Sequence, residues 1–171
     1  MSSSLESVIS KIETTNVRPA KDNDIEDIVL MFQSFLREGL YKVGYTLNLP
    51  TFLKHLFAAV DTEDECLVVA EHDGTTVGVF LGTLEPSYTN ANQLEGCEIL
   101  FYVQPEYRGN GIARKLMCAF EGWCRKKGAK MVVMGAVSEM KGEKLGKLYQ
   151  RAGYKPYEVS FYKDLTKEEV S

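Results

Sequence analysis

The stretch "LFYVQPEYRGNGIARKL" (100–116) constrains this chain more than any other. An apolar, aromatic run ends at Gln104-Pro105, two glycines follow in close succession, and an amphipathic segment begins at once. The run reads as a β-strand. From about 109 to 127 the spacing predicts a helix with Ile112, Leu116, Phe120 and Trp123 on one side and Gly128 placed to stop it. A strand-to-helix junction does not need so much bare backbone for packing alone, so a close approach by something else is expected there.

The neighbouring segments fit around that junction. "TTNVRPA" (14–20) reads as a short first strand, and 22–38 as a helix with an Asp cap, an acidic first turn and apolar residues at helical spacing. A loop leads to a second helix around 51–60. "ECLVVAEHDGTTVGVFLGTL" is two β runs joined by Asp73-Gly74, a hairpin signal. A polar loop is expected at 86–93, then a strand at 96–103. "KMVVMGAV" reads as a buried strand, 142–153 as a short helix ended by Gly153, and "YKPYEVSFYKDL" as one or two closing strands. The order is β-α-α-β-β-β-α-β-α-β: antiparallel hairpins first, then a β-α-β unit. This predicts a mixed α/β (α+β) fold that is not doubly wound.

The 171 residues carry no repeat, linker or low-complexity block, so one domain over 1–171 is expected, with a core of about 15–162 and short flexible tails. The mix of 44% hydrophobic and 26% charged residues is that of a soluble globular protein, and a net charge of −4 argues against a broad nucleic-acid surface. The run "MVVMGAV" is too short to span a bilayer, and the N-terminus has no secretory pattern. Cys66, Cys97, Cys118 and Cys124 lack Cys-x-x-Cys spacing and a nearby histidine pair, so buried free thiols and no metal are expected.

Three explanations compete for the junction. A Walker loop fails, because Gly-x-x-x-x-Gly-Lys-Ser/Thr is absent. A dinucleotide fingerprint fails too: Arg114 stands where the third glycine belongs, and no acidic residue follows at 129–131. What is left is a diphosphate cradle, with main-chain N–H groups at Gly109 and Gly111 pointing into a concavity at a helix N-terminus. Arg108 adds charge, and Arg114 and Lys115 stand one turn later. The plainer alternative is a tight turn and helix cap.

Arg108-x-x-Gly111-x-Ala113 resembles the acetyl-CoA-binding Gln/Arg-x-x-Gly-x-Gly/Ala motif of the GNAT N-acetyltransferase superfamily. "LYQRAGY" (148–154) is similar to that superfamily's Leu-Tyr-x-x-x-Gly-Phe/Tyr signature, and "VRPAKDNDIEDI" to its usual opening. The element order matches from about 15 to 162. The resemblance implies a GNAT-like, mostly antiparallel sheet with a splayed strand pair and about four flanking helices. It also implies acetyl-CoA as cosubstrate, held at Arg108, Gly109, Asn110, Gly111, Ile112, Ala113 and Arg114. Tyr102 and Val103 would pair with the pantetheine arm as an added strand would, and an N–H at Val103 or its neighbour would hold the oxyanion.

By the same resemblance Tyr149 occupies the general-acid position, although Leu145, Leu148, Tyr149 and Ala152 also form a simple packing stripe. Glu98 is the candidate base; by alternation it shares a face with Leu100 and Tyr102, and apolar neighbours should raise its pKa. The family often carries an asparagine about seven residues before the tyrosine, where this chain has Gly142. No cysteine or serine stands out as an acyl carrier, so direct attack by a primary amine in a ternary complex is expected. The alternative is a non-catalytic CoA-binding or protein-interaction module on the same fold.

The loops 40–48 and 85–92 are rich in Tyr, Asn, Thr and Gly and are expected to recognise the acceptor, a small-molecule or protein amine. Neither carries an acidic cluster that would point to a polycationic acceptor. The composition leaves a homodimer open and suggests no membrane partner. The short motifs look most like small phage or bacterial members, which implies a cytoplasmic protein, in the host cytoplasm if phage-encoded.

Overall fold

A computed structural model describes residues 14–137 and 142–165; most of the expected tails lie outside those residues. Five strands form one sheet in the order β1 (Thr15–Pro19), β2 (Glu65–His72), β3 (Thr75–Ser87), β4 (Asn90–Val103) and β5 (Met131–Val133). β1 to β4 are antiparallel neighbours, and β5 joins β4 in parallel. Four α-helices are present among the described residues: α1 (Ile25–Glu38), α2 (Leu49–Asp61), α3 (Ile112–Lys126) and α4 (Gly142–Arg151). This is the expected mixed, mostly antiparallel architecture.

Local chemistry explains the elements. α2 starts where the Asn48 side chain accepts from Thr51 N–H at 3.0 Å, with Pro50 in the first turn. The β2–β3 turn places Asp73 at φ 49° and Gly74 at φ 76°, the left-handed pair a two-residue hairpin requires. β1, the entry to α1 and the hairpin are joined by Arg18, which pairs with Asp24 (2.7 Å) and Glu71 (2.6 Å). Asp24 also accepts from Lys21 N–H and the Thr76 hydroxyl. Burial opposes its ionisation, but these partners hold its carboxyl below the usual range.

The sheet carries a core on each face. Ile28, Met31 and Leu56 of α1 and α2 pack on Val69, Val79, Leu81, Leu100 and Tyr102. Ile112, Leu116 and Phe120 of α3, with Tyr149 of α4, pack on Phe80, Phe101 and Val103. Two glycines let α3 approach: a Cβ on Gly82 would lie 2.7 Å from Phe120 Cζ, and one on Gly96 would collide with Cys124 Sγ.

Several expectations are corrected. The polar stretch 86–93 is mostly strand, with Pro86 opposite Leu94 and Ser87 opposite Asn90 around a turn at Tyr88-Thr89. Its polarity suits an exposed ribbon that projects beyond the core and continues a ladder already begun. "KMVVMGAV" is strand only over Met131–Val133 and is not fully buried, because β5 stands at the sheet edge; its ladder with β4 ends at Cys97 opposite Val133. Residues 154–165 form no strand, and Tyr157, Val159 and Phe161 are exposed there. Cys66 and Cys124 are buried as expected, but Cys118 is exposed and Cys97 half-buried.

Candidate active site

The site begins with one extra residue in β4. Leu100 pairs with Leu81 and Glu98 with Gly82, so Ile99 is a β-bulge with no partner of its own. β5 pairs only with Glu95, Gly96 and Cys97. Beyond the bulge, the side of β4 that faces β5 has no strand partner among the described residues. Gln104 N–H donates to Val77 O at 3.0 Å, which fixes the ladder alternation. Tyr102 is therefore turned to Val79, and the N–H and C=O groups of Phe101 and Val103 point to the open side. Of the expected Tyr102–Val103 pair, only Val103 turns its peptide groups to that side, where its C=O already accepts from Arg108 Nε; Phe101, which the sequence reading did not single out, turns its own there too.

The open edge leads to the glycine junction. Gly109 (φ 85°) and Gly111 (φ 76°) are left-handed, and a Cβ on either would meet no atom within 4 Å, so their peptide backbone borders open space. Gly111 is the N-cap of α3 and supplies no side-chain hydrogen bond. The N–H groups of Ile112, Ala113 and Arg114 therefore start the helix without intrahelical acceptors and sit at its positive dipole end. Asn110 is buried and Ile112 anchors the turn in the α3 core. This backbone suits an anion with two or three acceptor oxygens, such as the diphosphate of CoA.

The cations around it are otherwise engaged. Arg108 donates from Nε to Val103 O (2.7 Å) and from both Nη atoms to Glu38 (3.0 and 2.8 Å). Arg114 donates to Ala152 O (3.2 Å), and Lys115 to Thr15 O (2.9 Å). Arg108 and Arg114 shape the walls of the junction through these contacts, and the peptide amides line it.

Glu98 and Tyr149 meet at the divergence of β4 and β5. The Tyr149 hydroxyl lies 2.8 Å from Gly135 O and 3.2 Å from Glu98 Oε2, and Gly135 N–H donates to the same Oε2 at 3.1 Å. Burial pushes the Glu98 carboxyl up to about 7, against the bonds from Gly135 and Tyr149 that favour its charged form. Burial and the adjacent carboxylate raise the Tyr149 phenol well above its ordinary value, so it stays protonated at neutral pH. The expected shared face of Glu98, Leu100 and Tyr102 is corrected: Leu100 and Tyr102 pack toward α1, but Glu98 meets Tyr149 on the α4 side. The bulge at Ile99 shifts the alternation by one.

Gly142 explains the missing asparagine. A Cβ there would come within 2.9 Å of Val137 O, so α4 starts tight against the chain after β5. The thiols offer no competing nucleophile in the core: burial pushes Cys66 up to about 12 and Cys124 up to about 11. Tyr41 and Tyr45 in one expected acceptor loop and Tyr88 at the hairpin tip are exposed.

Known proteins share features of this chain. The Acetyltransferase (GNAT) family profile matches residues 30–154. The chain belongs to the GNAT acetyltransferase family. Within it, the chain is 32% identical over 72 residues to an aminoglycoside N(6')-acetyltransferase type 1 of Stenotrophomonas maltophilia, a match covering 41% of this chain. The chain spans about half of that curated relative, 47% of its length. Among solved structures, an acetyltransferase of Trypanosoma brucei is 20% identical with a TM-score of 0.66, covering 88% of this GNAT chain and 99% of that one. Aminoglycoside N-acetyltransferase AAC(6')-Iy in complex with CoA is 18% identical with a TM-score of 0.71, covering 88% and 95%. At these identities the structural likeness is one of fold.

Proposed function

We propose that this GNAT chain is an acetyl-CoA-dependent N-acetyltransferase acting on a primary amine of a small molecule, by direct attack in a ternary complex. One observation carries the reading: the side of β4 without a strand partner runs from Glu98 and Tyr149 to an amide-lined helix N-terminus. That is the layout needed to hold an extended thioester by its amides at one end and its diphosphate at the other.

Acetyl-CoA supplies an acyl group on a good leaving group; the protein manages the protons. The amine nitrogen forms the new C–N bond as the C–S bond breaks. Glu98, as carboxylate, takes the proton the nitrogen loses, and Tyr149 gives its phenolic proton to the departing sulfur. Glu98 then returns its proton to Tyr149 across their hydrogen bond, so both residues end as they began. N–H groups on the open side of β4, Val103 and Phe101 among them, suit the developing oxyanion.

The aminoglycoside relative makes aminoglycosides the first acceptors to try, with other amino sugars next. A homodimer is part of the proposal. It is supported by the exposed Tyr157, Val159 and Phe161, which alternate as in a strand, and by β5 standing at the sheet edge.

The test is a thermal shift with acetyl-CoA, CoA and adenosine diphosphate, then an amine screen for acceptor-dependent thiol release. Stabilisation by both CoA compounds and thiol release with an amine are expected. No stabilisation at saturating acetyl-CoA overturns the reading. Binding without turnover on any amine leaves a CoA-binding module in its place.

A further inference from the structure

Glu38 is the last residue of α1, where a negative side chain faces the negative end of the helix dipole. Helix chemistry alone disfavours it there. Its carboxylate instead serves two other elements: Oε1 accepts from the Tyr102 hydroxyl (2.6 Å) and Arg108 Nη2 (2.8 Å), and Oε2 from Arg108 Nη1 (3.0 Å). The same guanidinium donates through Nε to Val103 O and lies 5.0 Å from the Tyr102 ring centre. One carboxylate thus ties the end of α1 to the end of β4 and to the residue that opens the glycine junction. Isolated ion pairs of this exposure contribute little. A forked Arg–carboxylate pair completed by a phenol fixes geometry as well as charge.

The segment after Glu38 gives the contact its meaning. Gly39 leads into a 3-10 turn (Leu40–Val43) closed by Lys42 N–H to Gly39 O, Gly44 N–H to Tyr41 O and Tyr45 N–H to Leu40 O. This is the candidate acceptor loop. We propose that Glu38 is a positioning residue that couples this loop to the CoA cradle through Arg108 and Tyr102. The inference rests on the cradle reading. A CoA diphosphate settling beside Arg108 shifts or stiffens the guanidinium, and Glu38 carries that change to the root of the acceptor loop. Acceptor recognition is then conditional on the first substrate being in place.

The experiment needs no acceptor. Amide hydrogen exchange of peptides covering 39–48 is measured with and without saturating CoA, in the wild-type chain, Glu38→Gln and Glu38→Ala. Circular dichroism checks folding, and calorimetry gives CoA affinity. In the wild type, CoA should slow exchange in 39–48 by about threefold or more. In both variants that response should be lost, with CoA affinity changed by less than about tenfold. Should Glu38→Ala fail to fold, Glu38→Gln, which keeps the shape and loses the charge, decides the matter. A wild-type loop indifferent to CoA that demonstrably binds overturns the coupling, and so does an undiminished response in a folded variant. Absence of CoA binding by the wild type overturns the functional reading itself, and the coupling with it.

Discussion

The Tyr149 hydroxyl and the Glu98 carboxylate share a hydrogen bond of 3.2 Å, and Gly135 offers its N–H to one and its carbonyl to the other. Two residues read from the sequence as separate acid and base therefore form one unit held by a single peptide segment.

If that unit passes one proton from amine to sulfur, the two residues do not contribute independently. Tyr149→Phe and Glu98→Gln should each lower kcat by about a hundredfold or more. The double variant should cost little more than the worse single one. Multiplying effects in steady-state assays would mean that acid and base work apart.

The raised Glu98 pKa predicts a pH limit for the proposed reaction. If Glu98 is the base, its carboxylate is the active form, and kcat/KM should fall as pH drops through about 7. Glu98→Gln should remove that limb from the profile. A limb that persists near 7 in the variant belongs to another group.

Gly111 is left-handed and borders open space. Gly111→Val should cost about 1–3 kcal/mol of stability through backbone strain. It should also abolish the thermal shift given by CoA, because a branched side chain would project from the cradle. A folded variant that still gains the full shift would show that the amides are not the grip.

Asp24→Asn breaks the ion pair with Arg18, which keeps Glu71 as a partner, and should destabilise the fold by about 1–3 kcal/mol. With its pKa held below the usual 3.8, Asp24 contributes stability at and above that ordinary value, lost as pH falls through the folded one. Acid unfolding of the wild type should be steeper than that of the variant in that range. Equal slopes in denaturant titrations across pH would assign the acid sensitivity elsewhere.

Much of this was legible in the sequence, and the failures have identifiable causes. Helices and hairpins followed from apolar spacing and Asp73-Gly74, because those signals are local. β4 bulges at Ile99, and one inserted residue leaves no mark in composition while reversing every assignment of face before it. Glu38 was missed because its partners lie 64 and 70 residues away. Tyr157, Val159 and Phe161 have strand-like spacing, but spacing makes a strand only where a neighbouring ladder accepts it. Gly142 looked like a departure from the family pattern until the Val137 carbonyl gave it a steric reason.

Arg108, Arg114 and Lys115 all turn to carbonyls or carboxylates inside the protein. A ring of free cations would attract any polyphosphate or nucleic-acid strand, and salt would loosen its hold. Neutral peptide dipoles at fixed spacing respond to the outline of the guest more than to its total charge. On the proposed reading, choice among polyanions then rests on how their oxygens fit the turn at Gly109–Gly111.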